Sequence, residues 1–584
     1  MENNQKNLLV GIKKYGKPYF VKIIIGFVLA LIGSLATLIG PNQLSKITNL
    51  ITEGLVGSLD ITKINHIVFV LMIIYVVGSI MSYGEGFLMA NVSQNLTRDL
   101  RSKISQKINR LPLSYFDTHD NGDTLSRVTN DLDTFGQSLN QSLGTIVSSV
   151  VLIIGSIILM TYTNWLLSLT AIITTVIGMI TIIFLLSHSQ TYFDNQQKQL
   201  AEVSGFVEEI YTGHEVVKRF NNIKNVQEKF VSLNNNLYMS AWKSQFLSGI
   251  MQPLMIFIGN FSYVAVCVIG ALLVLKGSIS IGIIVAFMVY VRIFTQPLSQ
   301  IAQSLSSLQS AQAALRRVFV FLDEEEVDNR EDAAEYLSKS VGEIEFDHVN
   351  FGYSKDNLVI KDFSLKISPG QKVAIVGPTG AGKTTLISLL MRYYDYQSGK
   401  IKIDDIDISH LSTATVRNQF DMVLQDTWLF DDTIMANLKY NQPNIDDDKV
   451  IEAAKSIGID HFIRTLPNGY DTVINESVSL SVGQKQLLTI VRALIRNKPM
   501  LILDEATSSV DTRTEEQLQK AMDVLSKGRT SLVIAHRLST IKNADNIVVL
   551  NQGRIVESGN HSELMHKQGF YANLYNSQFE SLIS

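Results

Sequence analysis

The first half of the chain contains long apolar runs, whereas the second half alternates short apolar runs with polar turns. Six of the runs are long enough to cross a bilayer, which requires about 20 mainly apolar residues. A buried helix of a soluble protein can imitate one such run, but six of them predict a polytopic membrane domain. They fall at residues 19–39, 67–90, 146–162, 165–186, 251–275 and 279–296.

Basic residues are unevenly shared between the loops on the two sides of this predicted domain. One set of loops contains most of them, and the opposite set contains only Lys46, Lys63 and Lys276. The positive-inside rule therefore predicts that both termini are cytoplasmic and that the chain lies in the cell membrane. The start of the chain mixes apolar and basic residues, which is typical of an interfacial amphipathic helix.

Two stretches of this half, residues 91–142 and 187–250, are polar and mostly helical in pattern. Because neither contains a hydrophobic core of independent size, we expect the membrane helices to continue past the bilayer and turn back. Residues 323–335 are acidic, as is typical of an exposed linker. The chain thus divides into a transmembrane domain at 1–320, an acidic linker at 321–340 and a second domain at 341–584.

Composition excludes several classes of protein. Charged residues make up 18% of the 584 residues, below the usual value of about 25%, as the apolar half requires. The 50 Lys and Arg nearly balance the 54 Asp and Glu, which argues against a nucleic-acid partner. Cys267 is the single cysteine, so neither an internal disulfide nor a cysteine-based zinc site can form.

The second domain contains a phosphate-binding loop, G-x-x-x-x-G-K-T, between an apolar strand and a helical pattern. Its glycines let backbone amides surround phosphate, Lys383 should reach the β- and γ-phosphates, and Thr384 should hold Mg²⁺. The loop therefore predicts a nucleotide site with ATP and Mg²⁺ as cofactors. Its residues are Gly377, Pro378, Thr379, Gly380, Ala381, Gly382, Lys383, Thr384 and Thr385.

Two further apolar runs end in groups that suit hydrolysis. One ends at Asp504 and Glu505, and the other ends at His536. Ligands bind at the carboxyl ends of parallel strands, so these groups should lie beside the phosphate loop. Asp504 is expected in the Mg²⁺ shell, and Glu505 is expected to orient or deprotonate the attacking water.

The order of these segments along the chain resembles that of a known protein family. Tyr353, the phosphate loop, Gln425 and the segments LSVGQ, LILDEATSSVD and IAHRLST resemble the ABC ATPase domain throughout residues 341–584. With six spans before it, the whole chain resembles an ABC exporter half-transporter. The resemblance implies an α-helical polytopic membrane domain followed by an α/β P-loop ATPase domain, acting together as an ATP hydrolase coupled to transport.

The resemblance also implies roles for individual residues. Tyr353 would stack on adenine, Gln425 would contact Mg²⁺ and face the membrane domain, and His536 would contact the γ-phosphate. The turns near residues 116–123 and 211–214 would be coupling helices that press on nucleotide domains. The signature, which acts on the nucleotide of a partner subunit, is Leu480, Ser481, Val482, Gly483 and Gln484, and the D-loop contains Ser508 and Asp511.

Val482 departs from the family signature, LSGGQ, which has a glycine at this position. Glycine permits close approach of the backbone, which a branched valine hinders. One interpretation is harmless variation. The other is an asymmetric heterodimer, because heterodimeric bacterial multidrug exporters pair a chain that keeps the catalytic glutamate with a partner that lacks it. This chain keeps Glu505 and His536 and alters its signature, so it resembles the glutamate-bearing subunit, and its partner would have a degenerate Walker B acid.

These observations favour ATP-driven export of amphipathic compounds, of the multidrug type, by one half of a heterodimer. The alternative is a flippase for lipids or lipid-linked molecules, which could be homodimeric. An ATP-regulated channel would share the architecture, whereas a soluble ABC protein acting on ribosomes or DNA would need two nucleotide domains and no spans. Residues of the spans that could line an inner cavity and contact the substrate are Gln252, Phe257, Asn260, Phe261, Ser262, Phe287, Tyr290, Arg292 and Gln296. Glu85 is the single acid of the second span, and an intramembrane charge is a functional candidate.

Overall fold

The structure is a computed structural model that divides the chain into two compact units. The first comprises Met1–Asn109 and Asn121–Glu324, and the second comprises Arg110–Asp120 and Glu325–Ser584. Residues 14–55, 58–327, 337, 340–354, 357–425, 427–440, 442, 444–475, 480–504, 512–534 and 541–579 are described, without the side chains at 182, 185–190, 248, 251, 252, 255 and 512. The side chain of Gln252 and most of the predicted interfacial helix thus lie outside the described residues.

Helices form the whole of the membrane half as far as it is described. They are Phe20–Gly54 (α1), Ile61–Ile108 (α2), Leu113–Thr118 (α3), Asn121–Ser126 (α4), Leu132–Thr163 (α5), Trp165–Thr212 (α6), His214–Arg219 (α7), Ile223–Leu275 (α8) and Ile281–Asp323 (α9). Only α3 belongs to the second unit. A short π-helical segment, Arg127–Asp131, joins α4 to α5.

Each predicted span lies on one of these helices, apart from residues 19, 279 and 280, which precede α1 and α9. Among the described residues, five helices are long and apolar enough to cross a membrane, and the start of α6, Trp165–Thr181, is a shorter apolar helix. Hydrocarbon offers no hydrogen-bonding partners to backbone amide and carbonyl groups, whereas an α-helix pairs these groups within itself. An apolar run that crosses the membrane therefore forms a helix.

Three helices continue far beyond a bilayer, as the polar stretches predict. α2 and α6 have 48 residues each and α8 has 53, which corresponds to about 70–80 Å at 1.5 Å per residue. A hydrocarbon core is about 30 Å thick. The first predicted turn, 116–123, contains the end of α3 and the start of α4, and the second turn leads into α7.

Close packing of small residues joins the membrane helices. A β-carbon added to Gly33 of α1 would lie 2.6 Å from the Ser82 hydroxyl of α2. Phe287 and Tyr290 of α9 are buried in a cluster with residues of α5, α6 and α8, and Ser262 of α8 accepts a hydrogen bond from Thr174 at 2.8 Å. The expectation that Ser262, Phe287 and Tyr290 line a cavity is therefore wrong, because they pack inside their own protomer.

Strands of the second unit form two sheets among the described residues. The strands are Ile344–Phe351 (β1), Ile360–Ile367 (β2), Lys372–Val376 (β3), Ser398–Ile403 (β4), Ile406–Asp407 (β5), Phe420–Val423 (β6), Met500–Asp504 (β7), Thr530–Ile534 (β8), Asn546–Asn551 (β9) and Arg554–Gly559 (β10). The smaller sheet has the order β2-β1-β4-β5 and is antiparallel, and the larger has the order β10-β9-β3-β8-β7-β6. In the larger sheet β9, β3, β8, β7 and β6 are parallel.

Helices cover the larger sheet. They are Lys383–Leu390 (α10), Thr413–Arg417 (α11), Ile434–Lys439 (α12), Asp447–Ile457 (α13), Asp460–Thr465 (α14), Val482–Arg496 (α15), Thr512–Ser526 (α16), His561–His566 (α17) and Phe570–Phe579 (α18). Alternation along β3 explains the layers: Val373 and Ile375 face one apolar core, whereas Ala374 and Val376 face the other.

A buried ionic cluster fixes the amino ends of the parallel strands. Asp421 of β6 is fully buried; it accepts a hydrogen bond from the Lys498 amide at 2.9 Å and one from Arg529 at 3.1 Å, and Arg496 lies 3.5 Å away. Burial raises the pKa of Asp421 against the opposing effect of these cations. The cluster ties the end of α15 to the start of β6 and β8.

We expect Asp421→Ala to destabilise this edge by about 3–5 kcal/mol, because Arg529, only 7% exposed, would be left buried without its carboxylate partner. Hydrogen–deuterium exchange of the β6 and β8 peptides in the full-length protein measures the effect. The matched control is Asp523→Ala, which removes an exposed carboxylate that lies 3.9 Å from Lys372 and should cost less than about 1 kcal/mol. Equal exchange in the two variants would contradict the assignment.

Candidate nucleotide-binding site

The phosphate loop connects β3 to α10. Gly380 and Gly382 have φ values of +82° and +100°, in the left-handed region that other residues rarely adopt. A β-carbon on Gly382 would also lie 2.6 Å from Ile360. The glycines therefore allow the backbone to curl at the start of α10, where amide groups and the helix dipole favour an anion.

Lys383 lies across this loop. Its side chain is 8% exposed, and its ammonium donates to the carbonyl oxygens of Gly377 at 2.7 Å and Pro378 at 3.1 Å. Burial lowers the pKa of Lys383, and the charge of Asp504 opposes that shift. The structure thus holds Lys383 at the loop, and its contact with the β- and γ-phosphates stays a prediction.

The two threonines after Lys383 have different surroundings. Thr384 is exposed at the start of α10, which suits a hydroxyl that holds Mg²⁺. Thr385 is buried, and its hydroxyl lies 3.2 Å from the hydroxyl of Tyr353. Thr385, included with the nucleotide-binding residues, is therefore placed where it supports the aromatic ring.

Tyr353 lies at the rim of the loop and is 59% exposed. Its ring meets Phe351 edge-on at 5.1 Å and Tyr394 edge-on at 5.2 Å. One side of the ring is thus held by aromatic neighbours, and the exposed remainder can stack on a planar base, as expected for adenine.

Tyr394, which follows α10, is a residue of the site that the sequence analysis does not predict. Its hydroxyl donates a hydrogen bond to Asp117 of α3, so the residue that supports Tyr353 also contacts the first predicted coupling turn. No motif spacing in the sequence marks Tyr394, and Asp117 precedes it by 277 positions. Only the fold brings the two residues together.

Parallel pairing places Asp504 and Gln425 at one edge of the larger sheet. Asp504 ends β7, and Gln425 follows β6 and is exposed. β7 pairs with β6 and β8, and β8 pairs with β3, so the ends of β6 and β7 lie at the same edge of the sheet as the phosphate loop. The predicted Glu505, Ser508, Asp511 and His536 lie outside the described residues.

The donor set at this edge fits Mg²⁺. The Thr384 hydroxyl, the Asp504 carboxylate and the Gln425 amide are oxygen donors, which this cation prefers. Thr384 and Gln425 are both exposed and available. When bound, Mg²⁺ would neutralise charge on the β- and γ-phosphates.

The signature begins α15. Ser481 caps the helix by accepting a hydrogen bond from the Gln484 amide at 3.2 Å, and the Gln484 side chain accepts one from the Ser481 amide at 2.8 Å. Leu480 and Gly483 are buried, but Val482 is 52% exposed. The valine therefore points away from its own domain.

Comparison with known proteins agrees with this arrangement. Residues 23–298 match the family model for the ABC transporter transmembrane region, and residues 360–508 match the ABC transporter model. A fatty acid ABC transporter ATP-binding/permease protein of Mycobacterium bovis is 44% identical over 513 residues, which are 88% of this chain and 81% of that protein. ATP-dependent lipid A-core flippase 1 of Colwellia psychrerythraea is 34% identical over 97% of this chain and 95% of its own length.

The fold has a solved counterpart in a bacterial Atm1-family ABC exporter with ATP bound. The TM-score is 0.76 at 27% sequence identity, and the match covers 96% of this chain and 98% of that chain. Both domains are therefore present in the same order in the two chains.

We expect Lys383→Ala to lower ATP affinity at least about tenfold, because it removes a charge-assisted contact with phosphate. Equilibrium binding of a fluorescent ATP analogue measures the effect. Lys366→Ala, which removes an exposed lysine of β2 that pairs with Glu343 at 2.8 Å, is the control and should leave affinity unchanged. Unchanged affinity in Lys383→Ala would contradict the assignment.

We expect Tyr394→Ala to lower ATP affinity by about two- to tenfold, because it removes an edge-to-face contact worth roughly 0.5–1.5 kcal/mol from the Tyr353 ring. Tyr394→Phe keeps the ring and loses only the hydroxyl bonded to Asp117, so its affinity should match that of the unmodified protein. The same binding assay compares the two. An equal loss in both variants would show that the hydroxyl, rather than the ring, supports the site.

Proposed function

We propose that this chain, which belongs to the ABC transporter family as an exporter half-transporter, moves amphipathic lipid-type molecules across the membrane with the energy of ATP hydrolysis. The chain is a multi-pass membrane transporter whose ATPase domain is coupled to transport. The observation that supports the proposal is that one chain contains both an apolar helical domain and a sheet edge that carries the phosphate loop, Lys383 and Asp504.

The choice of lipids rests on two relatives that match most of this chain. One is named for fatty acids and the other for lipid A-core. Lipids are themselves amphipathic, so this choice narrows the expectation of multidrug-type export to compounds with an acyl chain. Among the predicted contact residues, Phe257, Asn260 and Phe261 remain exposed on α8 and suit an apolar chain with a polar end.

The working unit that we propose contains two half-transporters. The nucleotide edge and the signature of this chain belong to different elements, and Val482 is exposed, as expected if the signature acts on the nucleotide of a partner. The tip formed by α6 and α7 supports the same assembly. Tyr211 and Phe220 are exposed there, and no residue of α7 is buried, as expected of a coupling helix that docks on another subunit.

The partner that we propose is a different chain. Val482 weakens the site that this signature completes, whereas Glu505 equips this chain's own site for hydrolysis. A partner with a glycine at the signature position and a degenerate Walker B acid would give one fast site and one slow site. A homodimeric flippase is the alternative that the experiments below separate.

The orientation that we propose places both termini and the ATPase domain in the cytoplasm. The excess of Lys and Arg on one set of loops supports it. In the cytoplasm Glu505 would hold the water that attacks the γ-phosphate, Lys383 and the loop amides would fix the phosphates, and His536 would contact the γ-phosphate.

Reconstitution with a labelled lipid tests the transport step. The purified assembly is placed in phosphatidylcholine vesicles that contain an acyl-labelled fluorescent phospholipid, and a membrane-impermeant quencher measures its movement between leaflets. We expect ATP-dependent movement that Lys383→Ala abolishes. ATP hydrolysis without movement of any labelled lipid would contradict lipid export.

Glu505→Gln tests the asymmetry. If this chain supplies the only competent base, the substitution should lower steady-state hydrolysis by the assembled pair by roughly 10²–10⁴-fold, the usual cost of losing a general base. ATP should still bind, because the substitution keeps the size of the side chain.

Val482→Gly is the companion variant. In the Glu505→Gln protein it should not restore hydrolysis, because this signature serves the opposite site. In the otherwise unmodified pair it should change the rate only slightly. Retention of about half the activity in Glu505→Gln would mean that both sites hydrolyse, and a homodimer would then be the better description.

A further inference from the structure

A polar stripe follows one exposed face of α9. Its members are separated by alternating intervals of four and three residues, which keeps them on one side of a helix. From the first to the last the helix rises about 27 Å at 1.5 Å per residue. The stripe consists of Arg292, Gln296, Ser299, Gln303, Ser306 and Ser310, and all six are exposed.

The opposite face of α9 is apolar and packed. Ala286, Tyr290 and Phe294 are buried among residues of α5, α6 and α8. Between Gly282 and Val291 no residue is exposed, so Arg292 is the first exposed position after Ile281 at the start of the helix. The polar stripe is therefore a distinct face that this protomer leaves uncovered.

Arg292 stands at membrane depth. It lies within the predicted span 279–296, four positions, or about 6 Å along the axis, before the end of that span. A guanidinium at this depth is unfavourable unless it faces water or an anion. Among the described residues no carboxylate lies within 4 Å of it, and α9 has no acidic residue before Asp323.

The polar side chains that follow Arg292 on the stripe differ in whether the helix itself uses their hydrogen bonds. Ser299 donates to the Gln296 carbonyl at 2.8 Å, and Ser310 donates to the Ser306 carbonyl at 3.3 Å, so these hydroxyls are used within the helix. The side-chain amides of Gln296 and Gln303 make no hydrogen bond to other described residues. Arg292 and Gln296, one turn apart, thus present outward donors on an uncharged polar track.

We infer that this stripe binds the anionic headgroup of the transported amphiphile, a carboxylate or a phosphate, with Arg292 as the principal contact and Gln296 as a second donor. The inference rests on the proposed function and specifies the substrate of that function. A guanidinium presents paired donors that match both anions, and a cationic headgroup would be repelled. The acyl chain would remain against the apolar surfaces beside the stripe.

The experiment compares four probes that share an oleyl or oleoyl chain. Oleate and oleyl phosphate are anionic, oleylamine is cationic and monoolein is neutral. The full transporter in phosphatidylcholine nanodiscs is titrated with each probe, and the concentration that gives half of the maximal ATPase stimulation is recorded. The variants are Arg292→Gln and Arg292→Lys. The control is Arg316→Gln, which removes an exposed arginine of α9 that lies off the stripe.

We expect Arg292→Gln to raise the half-stimulating concentration of the two anions at least about tenfold and that of monoolein less than about twofold. Arg292→Lys keeps the charge, so its half-stimulating concentration for the two anions should lie between that of Arg292→Gln and that of the unmodified protein. The half-stimulating concentrations of Arg316→Gln should match those of the unmodified protein. The anion that acts at the lower concentration identifies carboxylate or phosphate as the headgroup. A melting curve for each variant confirms that it is folded, and Arg292→Lys carries the test if Arg292→Gln is not.

Two results would overturn this inference and leave the proposed function standing. One is an equal loss of response to the anions and to monoolein in Arg292→Gln, which would indicate a structural role for Arg292. The other is a preference of the unmodified protein for oleylamine. An unmodified protein that hydrolyses ATP, responds to none of the probes and moves no labelled lipid would overturn the proposed function itself. The two failures are therefore distinguishable.

Discussion

Parallel pairing of β3, β8, β7 and β6 is the interaction on which the nucleotide site depends. Each of these short strands is almost fully buried, so its hydrogen bonds form in a dry interior and fix its register. The shared direction brings the phosphate loop, Asp504 and Gln425 to one edge, although more than 120 positions separate the first from Asp504 along the chain. A single antiparallel strand among the four would move its terminal residue to the far side of the sheet.

The membrane half obeys a different constraint. Hydrocarbon offers no partners for backbone amides, so the apolar runs become helices whatever their neighbours are. Packing then decides which face of each helix is covered. On α9 it covers Phe287 and Tyr290 and leaves Arg292 and Gln296 exposed, so residues that look equally suited to a cavity in the sequence separate into core and surface.

The contact between Tyr394 and Asp117 joins the rim of the phosphate loop to α3 within the second unit. The ring of Tyr394 supports Tyr353 at the rim of the phosphate loop, and its hydroxyl bonds to a residue of α3, a helix that the chain forms between two long membrane helices. A change at the nucleotide rim therefore reaches this helix through a single side chain. Such a path suits a protein in which ATP hydrolysis is coupled to movement of membrane helices.

Much of this protein follows from local pattern alone. Apolar runs of sufficient length determine the membrane helices, polar helical stretches determine their extensions, and the glycine spacing around Lys383 determines the phosphate loop, because each depends on residues close in sequence. The tertiary structure alone decided that Tyr394 holds Tyr353, that Thr385 turns inward while Thr384 stays exposed, that Val482 points outward, and that Ser262 and Tyr290 are core residues. These outcomes depend on packing between segments far apart in the chain, and sequence spacing contains no record of which faces will meet.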